Sequence, residues 1–425
     1  MKKYNQVWGL IYDELARQRR GVELIASENF ASLEVIQAMG TWLNNKYAEG
    51  YPGKRYYGGC EVIDKIENLA ISSLCDLFGA QFANVQPHSG AQANMSVFIG
   101  LLKPGDCILG LNLAHGGHLS HGSPVNFSGK YFEAVSYGVN PESGIVNLQE
   151  VREKAIANKP KLIICGASAY SRDWDYAGFR AIADEVGAVL MADIAHPAGL
   201  IAAKYLQDPL PHCHIVTSTT HKTLRGPRGG IIMMGKDFNH PFGKTDSKGN
   251  PVSMAQTLNS AVFPGTQGGP LEHVIASKAI AFLEAKQTTY KEYAGQVIRN
   301  AKSFARAMQD RGFNIVSGGT DNHLFLVDLR SKDITGKEAE QLLIQADITT
   351  NKNMIPHDPE KPMITSGIRL GTAALTSRKF LEKDFEQVAE WIHQLIHYRK
   401  DDSIIRSIKV SINQYMEQFP LYPEV

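Results

Sequence analysis

The chain has little that marks a secreted, metal-stapled or nucleic-acid-binding protein. Its 425 residues hold five cysteines (Cys60, Cys75, Cys107, Cys165 and Cys213), none spaced as CxxC. Neither a disulfide framework nor a zinc ribbon is indicated, and a reducing cytoplasm fits. Net charge is nearly absent too: 44 Lys and Arg against 43 Asp and Glu give +1. Such a balance supplies no general field for nucleic acid or an anionic membrane and favours small-molecule chemistry. Nowhere do eighteen apolar residues run uninterrupted, and Met1-Lys-Lys-Tyr-Asn-Gln-Val7 lacks the apolar stretch of a signal peptide. The expectation is a soluble, unprocessed, cytoplasmic protein. Repeats and low-complexity tracts are missing as well. With 43% hydrophobic residues the chain can bury a large core, and its length suits two domains.

What is present alternates. Apolar residues recur at three and four from Val62 to Phe78, with Gly79 as a stop, which predicts a helix. Ser89-Gly90 opens a second helical run reaching Leu102. Strand-like runs at Cys107 to Leu111, Leu162 to Cys165, Ala188 to Ala192, Ile215 to Thr219 and Gly230 to Met234 alternate with helical stretches such as Phe179 to Val186. This predicts an α/β fold with a largely parallel sheet. After about Pro270 the pattern changes to long amphipathic helices, around Glu272 to Met308 and Lys379 to Tyr398. Between them lie strand candidates at Phe313 to Val316 and Leu324 to Leu329, and a capping-box pattern at Thr335-Gly-Lys-Glu338. The reading is a large domain over residues 1–280 and a smaller α+β domain over residues 281–425, with 237–251 as an exposed loop.

The most informative stretch is His221-Lys-Thr-Leu-Arg-Gly-Pro-Arg-Gly-Gly230, directly after the run Ile215 to Thr220. It puts Lys222 at the end of a buried strand, where desolvation and neighbouring cations release an amine for Schiff-base chemistry. A solvated loop lysine is the alternative. Asp193 ends the run Ala188 to Ala192, and ligands of open α/β sheets sit at the carboxyl ends of strands. A lysine for the aldehyde and a carboxylate for the ring nitrogen suit pyridoxal phosphate; otherwise Asp193 only caps a turn. Ser89, Gly90 and the Ala91 amide at a helix start suit a phosphate. Gly268-Gly269 reads equally well as a phosphate contact or a tight turn. Arg369, in the apolar context Ser366-Gly-Ile-Arg-Leu-Gly371, wants an anionic partner, either a substrate carboxylate or an internal aspartate. The three histidines of Asn112-Leu-Ala-His-Gly-Gly-His-Leu-Ser-His121 lack metal-ligand spacing, so no metal is expected and an imidazole stacked on a flat ring fits better.

Together these residues resemble the serine hydroxymethyltransferase family. The resemblance runs from Glu23-Leu-Ile-Ala-Ser-Glu-Asn29 through Lys46-Tyr-Ala-Glu-Gly-Tyr-Pro-Gly-Lys-Arg-Tyr-Tyr-Gly-Gly-Cys60, the histidine segment, Ser123-Pro-Val-Asn-Phe-Ser-Gly129, the lysine segment, Ser260-Ala-Val-Phe-Pro-Gly265 and Asp321-Asn-His-Leu-Phe-Leu-Val-Asp328 to Thr365-Ser-Gly-Ile-Arg-Leu-Gly371. It implies a fold-type-I pyridoxal phosphate transferase that converts L-serine and tetrahydrofolate to glycine and methylenetetrahydrofolate. A homodimer or dimer of dimers with shared active sites is also implied. Carried over, Lys222 looks like the Schiff-base lysine beside His221, Asp193 the pyridinium partner, and His118 the stacking ring. Ser168 and His196 match positions near the phenolic oxygen; Ser89, Gly90 and Ala91 match the phosphate cup, with Tyr47, Gly268 and Gly269 from the partner subunit. Ser27, Tyr57 and Arg369 match the amino-acid site, and Glu49 the proton-transfer acid. Leu113, Gly117, Leu119 and Asn353 match folate-contacting positions.

Two stretches depart from the family pattern, Lys361-Pro-Met363 and Ser171-Arg-Asp-Trp-Asp-Tyr176. A folate-independent aldolase resembling threonine aldolase and a non-catalytic binding protein are the competing readings. Intact Lys222, Asp193 and Arg369 count against the second.

Overall fold

A computed structural model describes residues 4–425. Met1–Lys3, part of the amino-terminal stretch considered above, lie outside the described residues. The chain divides into two compact units, one of residues 31–295 and one combining residues 1–30 with 296–425. The first thirty residues thus group with the C-terminal part, whereas the sequence reading attached them to the large domain. The reason is a long-range contact: Val22 and Glu23 pair in parallel with Ile348 and Thr349, a pairing that a hydrophobic pattern does not reveal.

The larger unit holds a seven-stranded sheet, with β1 (Phe82–Asn84), β2 (Cys107–Leu111), β3 (Glu133–Tyr137), β4 (Leu162–Gly166), β5 (Val189–Asp193), β6 (Ile215–Thr219) and β7 (Gly230–Met234) in the spatial order β1-β7-β6-β5-β4-β2-β3. Strands β2 to β6 run parallel, whereas β7 is antiparallel to both β6 and β1. The sheet is therefore mixed at β7 and otherwise parallel, in keeping with the largely parallel sheet expected. Residues 220–229 are too few for a crossover helix, so the chain returns antiparallel. Strands β4 to β7 are buried throughout, which is why they read as continuous apolar runs. Ile164, Met191, Ile215 and Ile232 pack with Val97 and Phe98 of the helix Gly90–Leu101 and Leu258 of Met254–Val262. Each such side chain contributes about 1.5–3 kcal/mol, and together they hold a rigid platform under the strand ends.

In the smaller unit a four-stranded sheet is built from Asn314–Ile315, Leu324–Asp328, Gly367–Gly371 and Asn351–Asn353, in that spatial order and wholly antiparallel. Phe304, Phe325, Leu343, Ile368, Phe385 and Ile392 belong to its core. Thr335 caps the helix Gly336–Gln345 with a complete capping box, as its sequence predicted. The helix Asp402–Met416 and the strands Glu133–Tyr137 and Gly367–Gly371 were not anticipated. No described helix is long and apolar enough to cross a membrane.

Candidate active site

Five segments of the large unit leave the sheet at one edge. Ser89 follows β1, His118 follows β2, Ser168 follows β4, Asp193 ends β5 and Lys222 follows β6. All five strands run in one direction, so their carboxyl ends converge, the place where open α/β sheets bind ligands. Gly90, Ala91, His118, Ser168, Asp193, His196, Thr219 and Lys222 line a single cleft there. Strand β7, running the other way, brings its first residue to the same edge. A Cβ at Gly230 would strike the Ser89 carbonyl, so only glycine permits this approach.

Lys222 is buried, which removes the reading of a solvated loop lysine. Asp193 is buried as well and is held on both oxygens. Its Oδ1 accepts from the Ala195 N–H at 3.0 Å, the turn-capping role foreseen as an alternative. Its Oδ2 accepts from Asn94 Nδ2 and His121 Nε2, both at 2.9 Å. Burial alone would raise the Asp193 pKa, but the hydrogen bonds from His121 and Asn94 hold the carboxyl well below the usual range. It stays ionised.

The tautomers follow from the network. The His118 main-chain N–H donates to His121 Nδ1 at 3.3 Å, so His121 carries its proton on Nε2, facing Asp193. The Ser120 N–H donates to His118 Nδ1 at 3.2 Å, and Ser120 Oγ lies 2.7 Å from the same nitrogen and accepts from Asn94 Nδ2 at 2.8 Å. Thr217 Oγ1 donates to Asn94 Oδ1 at 2.6 Å. Burial pushes the His118 pKa down to about 4, and His221 down to about 3, so both rings are neutral near pH 7. An uncharged His118 is suited to lie against a flat cationic ring. His221 Nδ1 is buried and makes no hydrogen bond. His118, His121 and Asp193 present ligand atoms within 4.8 Å of one another, although the bonds just described already employ them.

Ser89 caps the helix Gly90–Leu101, its Oγ accepting from the Gln92 N–H at 3.2 Å. The first intrahelical bond is made by the Ala93 N–H, so the Gly90 and Ala91 amides precede it at the positive end of the dipole. A Cβ on Gly90 would come within 2.6 Å of Thr219 Cγ2, so the helix start seats directly on the end of β6. Leu113 and Leu119, 47% and 44% exposed, flank the His118 turn, and Gly117 is buried between them.

Tyr47, Glu49, Tyr57, Gly268 and Gly269 form a second cluster in the same unit. Tyr47 Oη lies 3.4 Å from Glu49 Oε1, and the Tyr47 and Tyr57 rings meet edge-on at 5.4 Å. A Cβ on Gly268 would lie 3.2 Å from Glu49 Oε1, and one on Gly269 3.1 Å from Tyr47 Cζ. Among the described residues none of the five lines the Lys222 cleft. Arg369, Ser27 and Asn353 belong to the smaller unit. Arg369 sits mid-strand, paired with Leu326 and Asn351, and its Nε donates to Asn351 Oδ1 at 3.2 Å. Burial pushes its pKa down to about 10, leaving it a cation. The Ala26 backbone packs on Gly371, which places Ser27 beside the end of that strand.

His121 and Asn94 were not singled out in the sequence, yet they set the charge of Asp193. Asn94 had a readable signal, since it lies four residues after Gly90 and shares its helix face.

The family model for serine hydroxymethyltransferase matches residues 1–392. With that match spanning most of the 425 residues, and with a buried lysine and an ionised aspartate at adjacent strand ends of a mixed α/β sheet, the chain belongs to the serine hydroxymethyltransferase family of fold-type-I pyridoxal phosphate enzymes, which interconvert serine and glycine with tetrahydrofolate as one-carbon acceptor.

Proposed function

We propose that the cleft around Lys222 is where this chain holds pyridoxal 5'-phosphate for the reversible conversion of L-serine and tetrahydrofolate to glycine and methylenetetrahydrofolate. The carrying observation is that Lys222 and the ionised Asp193 line one cleft from adjacent strand ends. The residues fit the group: an amine for its aldehyde, a carboxylate for its ring nitrogen, a neutral imidazole for its face, and helix-start amides for its phosphate. When bound, it supplies an electron sink for the pair left as serine's Cα–Cβ bond breaks.

The protein's own groups do the rest. Asp193 keeps a proton on the ring nitrogen, and His121 and Asn94 keep Asp193 charged. His118 covers one ring face, Ser168 and His196 serve the phenolic oxygen, and His221 adjoins Lys222. Ser89, Gly90 and Ala91 bind the phosphate. Arg369 takes the amino-acid carboxylate, and Ser27 and Tyr57 serve the same substrate. Glu49 moves the proton at the serine hydroxyl oxygen, and its charge raises the Tyr57 pKa. Leu113, Gly117, Leu119 and Asn353 contact folate. Tyr47, Gly268 and Gly269 serve the cleft of a second copy, in a homodimer or dimer of dimers; that none of them lines the Lys222 cleft of their own chain supports this. Five free cysteines fit a cytoplasmic location.

Borohydride reduction followed by peptide mapping tests the reading: the reduced cofactor should sit on Lys222, and label on another lysine would overturn it. Glycine formation from serine should require tetrahydrofolate, whereas an aldolase would proceed without it.

A further inference from the structure

Lys278, on the helix Glu272–Ala285, is among the largest fully buried side chains of the protein. Its Nζ donates to three main-chain carbonyls, Val85 O at 2.6 Å, Gly230 O at 2.9 Å and Pro87 O at 3.1 Å. Three acceptors call for three N–H donors, which only the ammonium form has. The acid that acts on it is Glu67, but Glu67 is already bound by Arg55 at 2.6 Å. Burial drives the lysine pKa down, while the three carbonyl acceptors favour the ammonium form. An isolated buried cation is costly, and a hydrophobic residue of similar volume would fill the space without that cost.

Its position explains why a cation stands there. Val85 to Pro87 lead straight into Ser89 and the helix start at Gly90. The Gly230 N–H donates to Pro87 O at 3.0 Å, and the Gly230 Cα packs against the Ser89 carbonyl. A Cβ on Gly229 would strike Lys278 Cε, so the stem passes through a gap that glycine leaves open. The ammonium therefore binds both chain segments that shape the amide cup, and Lys278 itself does not line the cleft.

We propose that Lys278 is a positioning residue for the cofactor's phosphate: its three carbonyl bonds fix the Val85–Ser89 turn, and its charge stands behind the Gly90 and Ala91 amides as a counterion to the phosphate. The inference rests on the reading that the Lys222 cleft holds pyridoxal phosphate. It differs from a merely structural role in one respect. A structural clamp serves any ligand of the cleft equally, whereas a buried counterion favours the phosphorylated one.

The test uses apoprotein and two ligands that share the aldehyde, pyridoxal phosphate and unphosphorylated pyridoxal, with dissociation constants read from absorbance. In Lys278→Met the preference for the phosphorylated ligand should fall about tenfold or more, the scale of one charge-assisted contact, while pyridoxal affinity stays within about twofold. Lys278→Gln keeps two N–H donors without the charge and should lose the preference likewise; it carries the test if the Met variant does not fold. Inorganic phosphate should raise the melting temperature of native apoprotein but not of either variant. An unchanged preference, or equal weakening of both ligands, would overturn the inference. If native apoprotein bound neither aldehyde at Lys222, the reading of the cleft itself would fail instead.

Discussion

Asp193 and Glu49 are two carboxylates of one unit in contrasting settings. Asp193 is buried and receives hydrogen bonds from Asn94, His121 and Ala195, contributed by a helix, a loop and a turn. Glu49 is half-buried beside Tyr47 and Tyr57, residues that are 55% and 48% exposed. One carboxylate is fixed in charge by its own chain, as a group that must never lose its charge requires. The other stands at an open aromatic surface, the group proposed above for proton transfer. The two should therefore respond differently to substitution.

Asp193→Asn gives the largest expected effect. It removes the ionised partner from His121 and from the ring nitrogen at a buried site, a loss of about 3–5 kcal/mol. Turnover should fall by orders of magnitude while reduction still labels Lys222; near-native turnover would refute the role. Glu49→Gln should lower folate-dependent hydroxymethyl transfer about a hundredfold or more, the range of general acid–base catalysis. Its melting temperature and glycine binding should hold, because the site is partly exposed. A fall in stability as large as that of Asp193→Asn would erase the contrast drawn here.

Acid should act on the buried site. His118 has its folded pKa depressed to about 4, so below the ordinary histidine value the unfolded chain binds more protons and stability falls as pH drops from 6.5 towards 4. At pH 5 this one ring costs about 2 kcal/mol. Denaturant titrations of apoprotein at pH 7 and pH 5 should show the loss, and His118→Phe should diminish it. The smallest effect belongs to the other unit. Arg369→Lys keeps the charge but removes the planar fork, so serine and glycine affinity should fall together by about tenfold with the cofactor retained. Glycine titration of the cofactor spectrum measures this, and normal glycine binding would remove Arg369 from the site.

By itself the sequence determined the strands Cys107–Leu111, Ile215–Thr219 and Gly230–Met234, the helix stop at Gly79, the cap at Ser89 and the capping box at Thr335, because buried strands and helix ends write local patterns. It also marked Lys222 and Asp193, since each closes an apolar run. Tertiary structure alone decided what depends on meetings between distant segments. Glu133–Tyr137 is an edge strand, exposed at its first residues, and carries no clean alternation. The antiparallel turn of β7 follows from loop length and sheet pairing rather than from its own residues. Asn94, His121 and Thr217 meet around Asp193 from a helix, a 3-10 turn and the neighbouring strand, and Lys278 reaches Val85, Pro87 and Gly230 from a helix nearly two hundred residues beyond the first two. Hydrogen bonds between segments so far apart leave no periodicity, and a lysine in a helix reads as solvated until the fold closes over it.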